Sequence, residues 1–311
     1  MSFRLSVIIP CFNEEKVIAE IATRLQVVMG KLDSDYEIIF INDGSRDATL
    51  QKIEQLCAVD KRIKCISFSR NFGHQPSISA GILYATGDAA IIIDADLQDP
   101  PELIPDMLEV WRTENCSVVY AVRTKRAKEN IFKKITAKIY YRLISNLSDT
   151  NIPVDTGDFR LIDRKVMDAF KAFPEKHKYI RGLIGWIGFK QVPFYYNREM
   201  RYAGTTSYSL RKMIQFARTG LVYFTKKPLR MAVNLGVACF LIGIALIVYV
   251  FISKFYFPET TVRGWSSILI AIIFFGGVQL LTIGLLGEYI ASIFDEVKSR
   301  PEFIADRIIN F

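Results

Sequence analysis

Ala89-Ala90-Ile91-Ile92-Ile93-Asp94-Ala95-Asp96-Leu97-Gln98 is the stretch that decides the fold. It begins with an uninterrupted apolar run, the pattern of a strand buried on both faces, and such strands belong to parallel sheets covered by helices. Two carboxylates spaced i, i+2 follow at once. At a strand end they can share one divalent cation or its water shell, and oxygen ligands favour Mg²⁺ or Mn²⁺ over softer metals. A DxD pair alone recurs by chance as solvated acids in a loop. Its position directly after a buried strand gives it meaning, because open α/β sheets bind ligands beyond the carboxyl ends of their strands.

The flanking segments repeat the alternation of strand and helix. Leu5–Ile9 reads as a buried strand stopped by Pro10, and Glu14–Leu32 as a helix with Val17, Ile21, Leu25 and Val28 on one face. Tyr36–Ile41 and Ile63–Phe68 are further strands. A helix capped by Asp47 runs to about Ala58, and another lies around Ser77–Thr86. Glu102–Thr113 is helical, and Val118–Val122 is a fifth strand. The predicted class is α/β: a Rossmann-like, mostly parallel sheet with helices on both faces. Functional residues should sit just after the strands.

The pattern changes after the fifth strand. Ile131, Phe132, Ile135, Ile139, Leu143 and Ile144 recur at helical spacing among Lys133, Lys134, Lys138 and Arg142. This is a basic amphipathic helix, suited to packing on the domain or to lying on anionic membrane lipid. A second amphipathic helix, Ser209–Phe224, is expected at the interface and leads into two long apolar runs, Met231–Ile252 and about Ser266–Ile290. Each reaches the roughly 20 residues that a bilayer-spanning helix needs. Lys226, Lys227 and Arg230 flank the first run and Lys298, Arg300 and Arg307 follow the second, while the connecting segment has only Lys254 and Arg263. The positive-inside rule then puts both termini and the first domain on the cytoplasmic side of a membrane crossed twice. The expected organisation is a cytosolic domain over 1–208, a juxtamembrane helix and linker over 209–230, two transmembrane helices over 231–292 and a cytosolic tail over 293–311. Gly276-Gly277, Gly284 and Gly287 allow close helix contact in a homo-oligomer.

Composition narrows the partners. The net charge is +8, which points to an anionic partner. There is no zinc-finger spacing, RNA-binding motif or basic tail, so no nucleic acid is expected. Phosphorylated substrates and anionic head groups are. Cys11, Cys57, Cys65, Cys116 and Cys239 form no CxxC pair and read as reduced thiols in a cytosolic compartment. Leu5–Ile9 is too short for a signal peptide and runs into Asn13-Glu14-Glu15.

Pro10-Cys11-Phe12-Asn13-Glu14-Glu15 follows the first strand, and Asn42-Asp43-Gly44-Ser45 follows the second. Asp43 can accept a hydrogen bond from a base N–H, while Gly44 permits close backbone approach. The same four residues also suit an ordinary turn into a helix cap. Three further segments complete a pattern: Ser69-Arg70-Asn71-Phe72-Gly73, Asp155-Thr156-Gly157-Asp158-Phe159-Arg160 and Arg201-Tyr202-Ala203-Gly204. With them, and with Asp94 to Pro101, the chain resembles family 2 glycosyltransferases with a GT-A fold. It is most similar to the polyprenyl-phosphate glycosyltransferases, the dolichyl-phosphate-mannose-synthase-like group with two membrane helices. The resemblance covers nearly the whole chain. It implies transfer of a sugar, with inversion, from a nucleotide sugar to a membrane polyprenyl phosphate. UDP-glucose is the favoured donor, with GDP-mannose and a UDP-linked aminoarabinose as alternatives. On matching positions, Asp43 and the loop of Pro10, Phe12, Asn13 and Glu15 would hold the nucleotide together with Asp94, Ala95 and Asp96. Asp94, Asp96 and Gln98 would surround Mg²⁺ or Mn²⁺.

A phosphate monoester has a second pKa of about 6, so the acceptor oxygen is an anionic nucleophile near neutral pH without a strong general base. The harder task is to bring two anions together. Arg123, just after the fifth strand, and Arg201 are the expected cations, with Lys125, Arg126 and Arg160 as weaker candidates, because arginine matches phosphate geometry through paired donors. Asp158 is expected close to the sugar, holding an arginine or hydroxyls in preference to abstracting a proton. Of the two histidines, His177 reads as structural and His74 as at best adjacent to the nucleotide. A processive polysaccharide synthase should carry more membrane helices and a Gln-x-x-Arg-Trp-type motif, which the chain lacks. A nucleotide-binding membrane scaffold would have no need of Asp94, Asp96 and Asp158.

Overall fold

The computed structural model describes residues 3–32, 34–124, 156–176, 178–197, 227–256 and 264–311. The amphipathic helices expected over 129–145 and 209–224, His177 and Arg201 all lie outside these. The chain divides into two compact units, one of 1–145, 150–208 and 300–311 and the other of 146–149 and 209–299.

The first unit is built on an eight-stranded sheet in the order β7-β5-β6-β4-β1-β2-β3-β8. Its strands are β1 (Arg4–Cys11), β2 (Asp35–Asn42), β3 (Ile63–Phe68), β4 (Ala89–Ile92), β5 (Val118–Arg123), β6 (Thr156–Asp163), β7 (Gln191–Tyr196) and β8 (Ala305–Ile309). The helices between them are α1 (Ile18–Met29), α2 (Thr49–Val59), α3 (His74–Tyr84), α4 (Ile104–Thr113), α5 (Arg164–Lys171) and α6 (Ile180–Ile187). Strands β1 to β4 pair in parallel, as their continuous apolar runs predict. Both faces are covered. Leu5, Val7 and Ile9 pack with α1 residues such as Ile21 and Leu25, while Ile8 and Ile41 pack with Ile78 of α3 and with Met167 and Leu183 of α5 and α6. That division follows from the two-residue period of a strand.

Three features differ from the sequence-based expectation. Pro10 does not stop β1: it pairs with Ile41, and the strand continues to Cys11. The pairing of β1 with β4 ends at Ile8, so the missing Pro10 N–H faces no ladder on that side. Next, β5 is not beside β4. The strand β6 lies between them and runs antiparallel to both, with a register shift between Tyr120 and Val122. Last, the segment 293–311, expected as a tail, contains β8, which pairs antiparallel with β3 at the edge of the sheet. Phe303 stacks on Phe68 at 4.8 Å, and Asn310 Nδ2 donates to the carbonyls of Cys57 and Ile63 at 2.8 Å.

The second unit contains two long helices, α7 (Lys227–Tyr256) and α8 (Trp265–Val297). Among the described residues, one stretch is long and apolar enough to cross a membrane by length and composition, Phe274–Val297, with mean hydropathy 1.5. All five cysteines are free thiols.

Candidate active site

The turn after β4 is held against its own backbone preference. Leu97 adopts a left-handed conformation, φ 59°, which is unusual for a residue with a Cβ. Its side chain is almost wholly buried, so core packing maintains the strain. Asp96 Oδ1 accepts the Gln98 N–H at 3.1 Å, and both Ala95 and Asp96 are buried.

The antiparallel register of β4 and β6 sets Ala89 opposite Asp163 and Ile92 opposite Arg160. Continued two residues further, the same register brings Asp94 opposite Asp158. His74, the first residue of α3, joins them: its Nε2 is 3.2 Å from Asp158 Oδ2 and 3.5 Å from Asp94 Oδ1. Arg181, in the first turn of α6, donates from Nε to Asp158 Oδ1 at 2.7 Å and from Nη2 to Oδ2 at 3.0 Å. This is the fork geometry that guanidinium offers a carboxylate. Burial opposes ionisation of Asp158, but Arg181 and His74 outweigh it and hold the carboxyl well below the usual range. Burial likewise opposes charge on His74, and the two carboxylates carry its pKa up to about 9. A carboxylate held so far down is a poor proton acceptor near neutral pH.

Asp94 behaves in the opposite way. Desolvation and the negative charges of Asp158, Asp99 and Asp96 push it up to about 6, against the pull of His74. Its Oδ1 is buried and takes no hydrogen bond among the described residues. A cation beside Asp94 would relieve both conditions, so the residues fit a divalent ion. No group of three or more His, Cys, Asp or Glu among the described residues could hold a metal alone.

Arg123 approaches from β5. Its Nε donates to the Tyr196 hydroxyl at 3.4 Å, and Tyr196 in turn donates to Asp99. Burial disfavours the charged guanidinium, yet Tyr196 and Asp99 raise its pKa above the ordinary arginine value. Gly157 makes room for it: a Cβ there would lie 2.7 Å from Arg123 Nη2. Arg160 is buried beneath the site, donates to the Gly157 carbonyl at 3.0 Å, and is lowered to about 10 by desolvation.

The loops after β1 and β2 are laced to each other. Asn13, at φ 56°, donates its N–H to Ser45 Oγ and accepts the Arg46 N–H on Oδ1. The Glu15 carboxylate accepts the Ala48 N–H at 3.1 Å, so it caps the loop before α2. Both Asp43 oxygens take backbone donors, Phe72 N–H at 2.6 Å and Gly73 N–H at 2.9 Å. Burial raises the Asp43 pKa in spite of those bonds. Gly44, at φ +63°, permits the close approach of the Arg70–Asn71 backbone, where a Cβ would meet Arg70 C at 2.4 Å. Asp43 therefore pins the strand of chain that presents His74. Phe12 stays 43% exposed, which leaves its ring open to a planar ligand. Pro10 is buried within β1.

The structure brings Asp94, Asp96, Arg123 and Asp158 close together. It adds His74, Arg181 and the Tyr196–Asp99 pair. Arg181 left no signal in the local pattern, whereas His74 directly follows Ser69–Gly73, the segment that Asp43 anchors.

Residues 6–170 match the family described as glycosyl transferase family 2, and residues 227–293 match the GtrB C-terminal hairpin. The chain is 47% identical to the glycosyltransferase YkcC of Bacillus subtilis, over 97% of this chain and 93% of that protein. It is 38% identical to the bactoprenol glucosyl transferase of Shigella phage SfII, over 97% of each. Among solved structures it is similar to glucosyl-3-phosphoglycerate synthase of Mycobacterium tuberculosis, 17% identical, covering 71% of this chain and 78% of that one, with a TM-score of 0.49. The chain belongs to glycosyl transferase family 2 and carries the GtrB-type C-terminal hairpin. It is an enzyme of sugar transfer.

Proposed function

We propose that the chain transfers glucose from UDP-glucose to the phosphate of a membrane polyprenyl phosphate, with inversion at the sugar carbon. The observation that carries this is the match over 97% of the chain, catalytic unit and hairpin together, to proteins named bactoprenol glucosyl transferase. The electrostatics of the site support it. Asp158 is clamped between Arg181 and His74 and unsuited to take a proton, whereas an acceptor phosphate with a second pKa of about 6 needs none taken. Arg123 would meet an incoming phosphate through paired donors. Phe12 and the loop of Pro10, Asn13, Glu15 and Asp43 would receive the nucleotide. Asp94, Asp96 and Gln98 would hold Mg²⁺ or Mn²⁺, which when bound neutralises charge on the donor diphosphate.

Chain connectivity supports two membrane crossings. β8 follows α8 and is hydrogen-bonded to β3, so the segment between β7 and β8 must leave and return on one side. A single crossing would separate β8 from its partner strand. A return of this kind fits a second crossing by α7, whose 30 residues give about 45 Å of helix, longer than a hydrocarbon core of roughly 30 Å. Both termini then lie with the catalytic unit on the cytoplasmic side. Association with anionic lipid and a homo-oligomer of the hairpin belong to the same reading.

The test is incubation of membranes containing the protein with polyprenyl phosphate, Mg²⁺ and radiolabelled UDP-glucose, UDP-galactose, GDP-mannose or UDP-aminoarabinose. Lipid-linked glucose is the expected product. A different labelled sugar would reassign the donor, and no lipid-linked product from any donor would overturn the proposal.

A further inference from the structure

The chain that follows the hairpin places one buried carboxyl beside α3 and the segment leading into α6. Glu302 Oε2 accepts the Ser79 hydroxyl of α3 at 2.8 Å and lies 3.6 Å from Lys178 Nζ. The Lys178 and Glu302 side chains are 8% and 9% exposed, so water screens the pair little. Lys178 stands three residues before Arg181, and its ammonium also lies over the Phe170 ring of α5 at 5.1 Å. Ser79 stands on the helix whose first residue is His74. Glu302 thus bridges the two elements whose first turns converge on Asp158.

A second contact ties the same elements nearer the site. Gln75 Oε1 of α3 accepts the Ile180 N–H of α6 at 3.0 Å. With one tie at the helix starts and another from deeper along α3 to the lead-in of α6, the approach of the two helix starts to each other is held at two points. Asp158 reads that approach directly, because its partners come one from each helix. The Glu302 carboxylate is anchored from its own side by the Phe303 ring on Phe68 and by the Ser69 N–H bond to the Ile304 carbonyl at 3.0 Å.

We propose that Glu302, through Lys178 and Ser79, is a positioning residue that sets the geometry of the Arg181–Asp158–His74 clamp. The proposal rests on the sugar-transfer reading above. It makes the segment emerging from the hairpin part of the catalytic apparatus, without touching substrate. Burial raises the Glu302 pKa against the influence of Ser79 and Lys178, in keeping with a carboxylate that depends on its two partners.

The test uses full-length protein in membranes. Glu302→Gln keeps the side-chain shape and an acceptor for Ser79 but removes the charge facing Lys178. Its kcat is expected to fall about tenfold with KM for the nucleotide sugar within twofold, and Glu302→Asp to recover part of the loss. Lys178→Met should reproduce the loss, and the double variant should be no worse than either single one. Combined with Arg181→Lys, Glu302→Gln should add less than its own factor, since both act on one clamp. Unchanged kcat, fully multiplicative losses, or a fall in kcat and rise in KM that track a lower melting temperature would each overturn the proposal. Hydrogen exchange in the peptide spanning 178–183 reads the clamp without substrate, and Glu302→Gln is expected to accelerate it. If the unsubstituted protein makes no lipid-linked sugar, the functional reading fails while the exchange result still decides this one.

Discussion

Two clusters of buried charge sit at opposite ends of the same sheet. At the start of β2, Glu37 Oε1 accepts Ser6 Oγ at 2.6 Å, the Thr86 N–H at 2.7 Å and Thr86 Oγ1 at 2.9 Å, while Oε2 lies 2.7 Å from Lys64 Nζ. Burial would raise the Glu37 pKa, but Lys64, Ser6 and Thr86 outweigh it and lower it. Beyond the carboxyl ends of the strands, Asp94, Asp96, Asp99 and Asp158 crowd together, and Asp94 is pushed up to about 6. One cluster neutralises itself. The other crowds carboxylates together, and Asp94 keeps a buried oxygen that takes no hydrogen bond among the described residues. A site prepared for a cation and a phosphate ligand looks like the second, and a structural ion pair like the first.

The largest effect is expected at Asp94, where burial and neighbouring carboxylates outweigh the pull of His74. Asp94→Asn should lower kcat/KM for lipid-linked sugar by about 10²–10³, the range for losing one principal electrostatic contact. It should also raise the melting temperature of metal-free protein by roughly 2–4 °C, equivalent to about 1 kcal/mol in a unit of this size. A lower melting temperature would place Asp94 with the structural cluster. Glu37→Ala should behave in reverse. It strands the Lys64 ammonium, and breaking a buried pair costs about 3–5 kcal/mol, while the folded fraction keeps its specific activity.

The pH dependence sharpens the same contrast. Because the folded-state pKa of Glu37 is depressed, its stabilisation is complete above the ordinary glutamate value of about 4.3, and is lost as pH falls below that and through the lower folded-state value. Thermal melting from pH 6 down to pH 3 should show this loss, and Glu37→Gln should flatten the curve. A flattening by Asp94→Asn instead would reverse the assignment of the two clusters.

Asp158→Asn should cost about tenfold in kcat, through a loosened Arg181, and leave measurable turnover. Near-total loss with intact nucleotide binding would mark Asp158 as a base. The smallest effect is expected from Gly157→Ala. The new Cβ meets the far end of the Arg123 side chain, which can swing aside. Turnover should fall a few-fold while stability drops by about 1 kcal/mol, the low end for crowding a packed site, because only the end of a flexible side chain must move. A loss as large as that of Asp94→Asn would show that Arg123 has no second position.

Much of this was legible in the chain. Strand and helix periods are local, so β1 to β4 and the helices covering them were readable, as was a DxD at the end of β4. The strand β6 was not. Gly157 and the charged Asp158, Arg160 and Asp163 break the apolar run expected of a central strand; Asp158 is satisfied by Arg181 from another element, while Arg160 and Asp163 bond the nearby Gly157 carbonyl and Val166 N–H. The sequence places His74 at best beside the nucleotide, and the fold sets it next to Asp94 and Asp158. Arg201 and the amphipathic helices over 129–145 and 209–224 lie outside the described residues.

By itself, then, the sequence determined the class of fold, the paired acids at a strand end and the long apolar helices, since each depends on spacing within a few residues. Tertiary structure alone decided that Asp158 faces Asp94, that His74 and Arg181 clamp it, and that the C-terminal segment closes the sheet as β8. Those facts are matters of register and of contacts between residues from about 20 to more than 200 positions apart. Register is chosen by the packing of whole strands and helices, and no local pattern of side chains encodes it.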